Sequence, residues 1–295
     1  MEQGKIDGLQ STILSWRTRE RESAVEKLNE SLNKSRALRE VTLALKTSLR
    51  DAVSDFSFLR LRGLRALLKF LRTVSQSDPT IALFCQTQSI PDLQLVPVLF
   101  KHSLKEFEEE NVENLKCIFG VEPFNITSPS SDTEMAEALR TLEGCCLLHK
   151  ESSILAHKHQ GVRVLVRILS TRGPLEQGVC LDALISLLVD STSNQVDFKE
   201  LRGIEEVTLL IRNKQVDEKL RLKCGEFLLV LVGHINGKEN SPMASVHEDI
   251  KKLLGEKTVS LIWAASQFGS NLGTEQRLSA LQIQARRVVE SVDLY

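Results

Sequence analysis

Cys145, Cys146, His149, His157 and His159 are the side chains whose types and spacing come nearest to metal chemistry. Cys145 and His149 stand one helical turn apart, so thiol and imidazole would share a face, and that pair is a donor set zinc accepts. Tetrahedral ligation also needs a fixed fourth ligand and a rigid surround. The same residues have a simpler assignment: the cysteines fall at apolar helix positions, and the stretch from His149 to His159 reads as the polar break that follows. No metal is therefore expected. Lys223 and Glu226, on the stretch VDEKLRLKCGEFLLVL, could act as base and acid, but three residues apart on a helix they read as a solvated ion pair.

Other chemistries leave no trace in the chain. A phosphate-cradling loop needs glycines followed by Lys and Ser or Thr, whereas GHINGKE (233–239) has the wrong spacing and ends in Glu. There is no GxSxG elbow, no HExxH helix, no kinase signature set and no His-Cys dipeptide. The expectation is a non-catalytic protein with no catalytic residues and no cofactor.

The elements that would carry these residues are helices. Apolar residues recur at spacings of three and four almost everywhere, and sustained alternation is hard to find. Residues 1–50 are rich in Arg and Glu around a drifting stripe of Leu28, Leu32, Leu38, Val41, Leu45 and Leu49, as in a long amphipathic helix. In FSFLRLRGLRALLKFLRTV (56–74) the basic residues are expected to rim an apolar face. A stop, N-cap and first-turn proline at Pro79 follow, and Pro91 restarts the chain. The segment 120–132 is a Pro/Ser/Thr-rich loop, closed by a capping box of Ser131 and Glu134.

Beyond that loop the chain repeats itself. Gly161 and Gly203 lie 42 residues apart, and the same register pairs Leu139 with Leu181, Leu142 with Leu184, Cys146 with Leu188, Ile154 with Val196, Val162 with Ile204 and Ile168 with Leu210. A further shift places Leu187 on Leu229. Helix, polar break, short helix, Gly and helix at this period is the armadillo/HEAT type of unit, whose apolar surface is covered only by stacking on its neighbours. Gly161 and Gly203 are expected to let the backbone turn between helices. After a second loop, Ser245 and Glu248 should cap a helix over about 247–268, with another over 274–293.

The expected fold is all-α: an armadillo/HEAT-like α-solenoid, a right-handed superhelix, preceded by a long amphipathic N-terminal helix. Its divisions are an N-terminal helical segment (1–50), repeats over 51–235 and a loop with C-terminal helices over 236–295.

Charge is split along the chain. Residues 1–75 hold 15 Lys/Arg against 9 Asp/Glu, and the remainder 23 against 30, which suits partners of different sign. The basic part is too rich in acids and too poor in aromatics for nucleic acid, so none is expected. No secretory signal or membrane span is apparent, and six scattered cysteines without a CxxC pair suit buried reduced thiols in a cytosolic or nuclear protein, with the cytoplasm as the expected location. Ser128-Pro129, Ser241-Pro242 and the KEN tripeptide at 238–240 are minimal loop motifs of the kind read by kinases and degradation machinery.

The stretch from Asn194 to Leu231 carries a family resemblance. Asn194, Phe198, Leu201-x-Gly203, an apolar helix and then Arg221-Leu-Lys-Cys-x-Glu-Phe-Leu228 resemble the SIN-component family called cell division control protein fourteen, and LRTLEGCCLLHKESS upstream is similar to its entry helix. The resemblance implies a regulatory subunit that binds a Ste20/germinal-centre-type protein kinase in septation or cytokinesis, at a spindle-pole or cytoskeletal location. Candidate partner contacts are Asn194, Glu200, Arg202, Arg221, Lys223 and Glu226, with Phe198 either an anchor or core. A generic armadillo adaptor for cargo, cytoskeleton or membrane traffic is the alternative, using the basic N-terminal helix as a second contact.

Overall fold

The computed structural model describes residues 3–105, 128–189, 191–236, 241–266 and 274–293. The KEN tripeptide, Cys117 and most of the 120–132 loop lie outside these. All regular structure among the described residues is helical. The N-terminal part holds α1 (Gln3–Ala52), α2 (Ser57–Val74), α3 (Asp78–Gln88) and α4 (Leu95–Val98), which runs into a π-turn at Leu99–Ser103. Then come α5 (Asp132–Leu148), α6 (Glu151–Lys158), α7 (Gly161–Thr171) and α8 (Pro174–Leu188). A second run of three follows: α9 (Thr192–Glu200), α10 (Gly203–Arg212) and α11 (Glu218–Ile235). The chain closes with α12 (Val246–Leu254), α13 (Glu256–Ser266) and α14 (Thr274–Asp293).

The helices stack as the repeat requires. α2, α5, α8, α11 and α14 pack each on the next in one continuous layer, while α6 lies on α9 and α7 on α10. The positions that the 42-residue register pairs between α5 and α8 are all buried: Leu139 with Leu181, Leu142 with Leu184, and Cys146 with Leu188. The two units also share a left-handed residue at the equivalent joint, Gln160 at φ 54° and Arg202 at φ 55°. The break between α5 and α6 is short, and residues from Glu151 to Lys158, expected as polar break, form a helix of their own.

Three expectations about the joints need correction. The tight turns are made by Gln160 and Arg202, not by the glycines after them, which start α7 and α10 in ordinary helical backbone. Gly161 and Gly203 are required for closeness instead. A Cβ on Gly203 would land in the Phe198 ring, and one on Gly161 would crowd the Ala156 carbonyl and the Phe100 ring. Second, the register from α8 to α11 is 44 residues, with Leu187 on Leu231 and Cys180 on Cys224, because the link 213–217 is longer than 172–173. Third, the segment 247–268 is not one helix: Gly255, at φ 86°, divides it into α12 and α13.

At the N-terminal end, among the described side chains of α1, those of its last turns join the core. Leu45, Leu49 and Ala52 are buried, and Gly63 of α2 sits so close that a Cβ there would strike the backbone of Ser48 and Ala52. Val25, Leu28 and Leu32 remain exposed further up α1. Arg60 does not rim α2. It is buried and ion-paired to buried Glu134 of α5, with Nε–Oε1 at 2.7 Å, while its Nη atoms donate to the carbonyls of Ser54, Asp55 and Ser128. Glu134 has consequently left the expected capping box: its N–H still donates to Ser131 Oγ, but its carboxylate serves Arg60 and the Ser57 hydroxyl. Removing one partner of such a buried pair costs about 3–5 kcal/mol, so it locks α2 onto α5. The Ser245–Glu248 box does not form either, as the Ser245 hydroxyl donates to Asp249.

Candidate interaction surface

The residues that came nearest to metal chemistry are spread by the fold. Cys145 is fully buried in the α5–α8 layer, and burial pushes its thiol well above the ordinary range, while the Cys146 thiol is pushed up to about 12. His149 meets Ser152 through Nδ1 at 3.0 Å. His157 is 2.8 Å from Asp197 Oδ2 and so ties α6 to α9. His159 stacks on Phe100. Among the described residues, no three His, Cys, Asp or Glu side chains gather as a metal site.

Two candidate contacts prove to be architecture. Asn194 is 0% exposed, and its Nδ2 donates to the carbonyls of Ser153 and Leu187, joining α9 to the end of α8 and to α6. Gln195 does the same for Leu188. Arg221 is buried too; its Nε donates to Ile211 O at the end of α10, and its Nη atoms grip Asp293 of α14. Gln177 occupies the equivalent place in the preceding unit and donates to Leu169 O at the end of α7. Arg221 thus caps a helix C-terminus, where cationic donors suit the exposed carbonyl dipoles. Phe198 is core, packed against Phe227 and over Gly203.

The remaining four stay accessible. Glu200 and Arg202 are exposed on the α9–α10 corner, and Arg202 lies 3.8 Å from Glu205. Lys223 and Glu226 face out from α11, but Lys223 does not pair with Glu226. Its Nζ reaches across to Asp182 of α8 at 2.7 Å. Asp182 and Glu226 are equivalent in the 44-residue register, so the stack itself brings these acids onto one ridge. Glu143 of α5 joins them, and its carboxyl is held above the usual range chiefly by burial and then by the charge of Asp182. Burial likewise raises Glu226, partly offset by Lys223.

Next to this acidic ridge the sign changes. α11 and α14 enclose a groove of about 730 Å³ with Leu222 and Ile283 in its floor and Lys219, Lys223, Arg286 and Arg287 around it. Ile283 is 56% exposed. Sequence reasoning missed this groove because the residues come from helices 60 positions apart and the packing of α14 on α11 has no local signature.

Over residues 115–271 the sequence matches the family described as Cell division control protein 14, SIN component, which is more than half of the 295 residues. The chain belongs to this family. Membership in the SIN component family gives it a cell-division role. The matched span takes in α5 to α13, so both repeats and the Lys223–Asp182 bridge are family territory, whereas α14 lies beyond it. No curated protein matches the chain. Among solved structures, an engineered protein from the Northeast Structural Genomics Consortium is similar over 85% of this chain and 99% of its own, with a TM-score of 0.49 and 14% identity. Among the described residues, no helix of this SIN component is long and apolar enough to cross a membrane.

Proposed function

We propose that the chain is a non-catalytic scaffold that holds a Ste20/germinal-centre-type protein kinase during septation, acting in the cytoplasm at spindle-pole or cytoskeletal sites. The observation that carries this reading is the stack of helices, α5, α8, α11 and α14 in one layer with α6 on α9 and α7 on α10 beside it, whose outward charges, Glu200 and Arg202 among them, lie on a long surface of the kind that holds a peptide or a folded partner. Its polar interior side chains serve the stack: Asn194, Gln195, Gln177 and Arg221 each satisfy the carbonyls at a helix end. Membership in the SIN component family supplies the pathway.

The test uses purified components. A kinase of this type, immobilised, should retain the full-length chain directly, and charge reversal at Glu200 and Arg202 should weaken retention without lowering thermal stability. A chain that binds no such kinase, alone or in extracts of dividing cells, contradicts the reading. The exposed Val25, Leu28 and Leu32 on α1 favour a second one, an adaptor whose binding also needs a second contact through the N-terminal helix. Deletion separates the two, but it must stop at residue 36, since Leu45 and Leu49 belong to the core. A scaffold whose kinase sits on the repeats keeps its binding after that deletion, and the adaptor loses it.

A further inference from the structure

We propose that the groove between α11 and α14 receives an acidic amphipathic helical segment of the protein partner. This deepens the scaffold reading and rests on it. Four of the groove's lining residues are cations, Lys219, Lys223, Arg286 and Arg287, against two anions, Glu226 and Glu290. Lys223 is already neutralised by Asp182. Lys219, Arg286 and Arg287 are exposed and have no ion-pair partner among the described residues, so three positive charges on both walls stand over the apolar floor of Leu222 and Ile283.

That arrangement selects its occupant. An amphipathic helix lays its apolar face into a groove between helices and leaves its polar edges against the rims. Cationic rims complement Glu or Asp at those edges, and they repel Lys and Arg. A volume of about 730 Å³ accepts a few side chains of such a helix rather than a whole folded surface. Glu226 lines the groove near the Lys223–Asp182 bridge to α8, so the part open to an acidic segment is that of Lys219, Arg286 and Arg287. A polynucleotide fits less well, because no aromatic side chain lines the groove for its bases to stack on and the floor is aliphatic. Since Arg286, Arg287 and Ile283 lie on α14, outside residues 115–271, the groove combines a family helix with one that this chain adds to the matched span.

The experiment is fluorescence anisotropy with the full-length protein. The probes are a labelled amphipathic helical peptide of Leu and Glu, the same peptide with Lys for every Glu, and a labelled single-stranded oligonucleotide. Expected is binding of the acidic peptide alone, weakened by salt and lowered about tenfold or more in K219E/R286E/R287E, with an unchanged melting temperature. The variant I283E, which removes the apolar floor, should lose binding as well. Equal binding of acidic and basic peptides, indifference to the triple variant, or oligonucleotide binding that shares the same arginines overturns the proposal. Kinase retention is read in parallel. If the triple variant retains kinase normally and ignores the peptide change, the groove proposal falls and the scaffold reading stands. If wild type binds the acidic peptide through the groove but retains no kinase, the scaffold reading falls while the peptide site remains.

Discussion

The ring of Phe198 occupies the space that a side chain on Gly203 would need. Gly203→Ala should therefore destabilise the protein by about 1–3 kcal/mol through overpacking, despite the better helix propensity of alanine. Phe198→Ala should cost about 3–5 kcal/mol through the cavity it leaves. The double variant should be more stable than the sum of the two, because the cavity accepts the new methyl group. Urea unfolding of the four proteins measures this coupling, and strict additivity would show that the two residues do not compete for one space.

Leu184 is fully buried at the centre of the α5–α8–α11 layer, while Ile154, also paired by the repeat, is 52% exposed. Leu184→Ala should lower stability by about 2–5 kcal/mol. Ile154→Ala should stay within about 0.5 kcal/mol. Chemical denaturation distinguishes them, and similar costs would mean that the layer is packed differently.

Asp293 ties the end of α14 to Arg221. The hydrogen bond from Arg221, with the charges of Arg221 and Lys214 behind it, holds the Asp293 carboxyl below the usual range. A depressed carboxylate contributes stability above its unfolded value and loses that contribution as pH falls through its folded value. Melting temperatures of wild type and Asp293→Asn should accordingly differ at neutral pH and converge in acid below the ordinary aspartate range. A gap that is independent of pH would remove the ion pair from the explanation.

Glu143 has the opposite sign. Burial and Asp182 hold its carboxyl above the usual range, so the folded state binds its proton more tightly than the unfolded chain. Its favourable contribution is present in acid, below the unfolded value, and is lost as pH rises through the folded value. Glu143→Gln should raise the melting temperature at pH 7 to 8, and the gain should vanish in acid. A variant less stable than wild type at neutral pH would show that Glu143 is held by a favourable contact.

The helices and the first repeat were legible because apolar spacing of three and four, and the return of Gly161 at Gly203, are local patterns. The joints were less so. Glycine in a turn suggests left-handed backbone, yet Gln160 and Arg202 take that conformation, and the glycines answer to a ring that reaches them from another helix. Polar residues were the hardest to place. Nothing near Arg60 or Arg221 in sequence separates them from a solvated arginine; their partners Glu134 and Asp293 lie 74 and 72 residues away. Asn194 read as surface because it opens a polar stretch, and it is the carbonyls of Ser153 and Leu187 that allow it inside. The 44-residue register was the recoverable part: it aligns Asp182 with Glu226 and would have pointed to the ridge on which Lys223 finds its partner.

Capture of the tagged full-length chain from dividing cells, with mass spectrometry of what co-purifies, tests the scaffold role most directly. A germinal-centre-type protein kinase should co-purify in near-stoichiometric amount, survive removal of residues 1–36 and weaken when Glu200 and Arg202 are charge-reversed. Absence of any protein kinase from the captured material, with the chain itself folded and abundant, would contradict it.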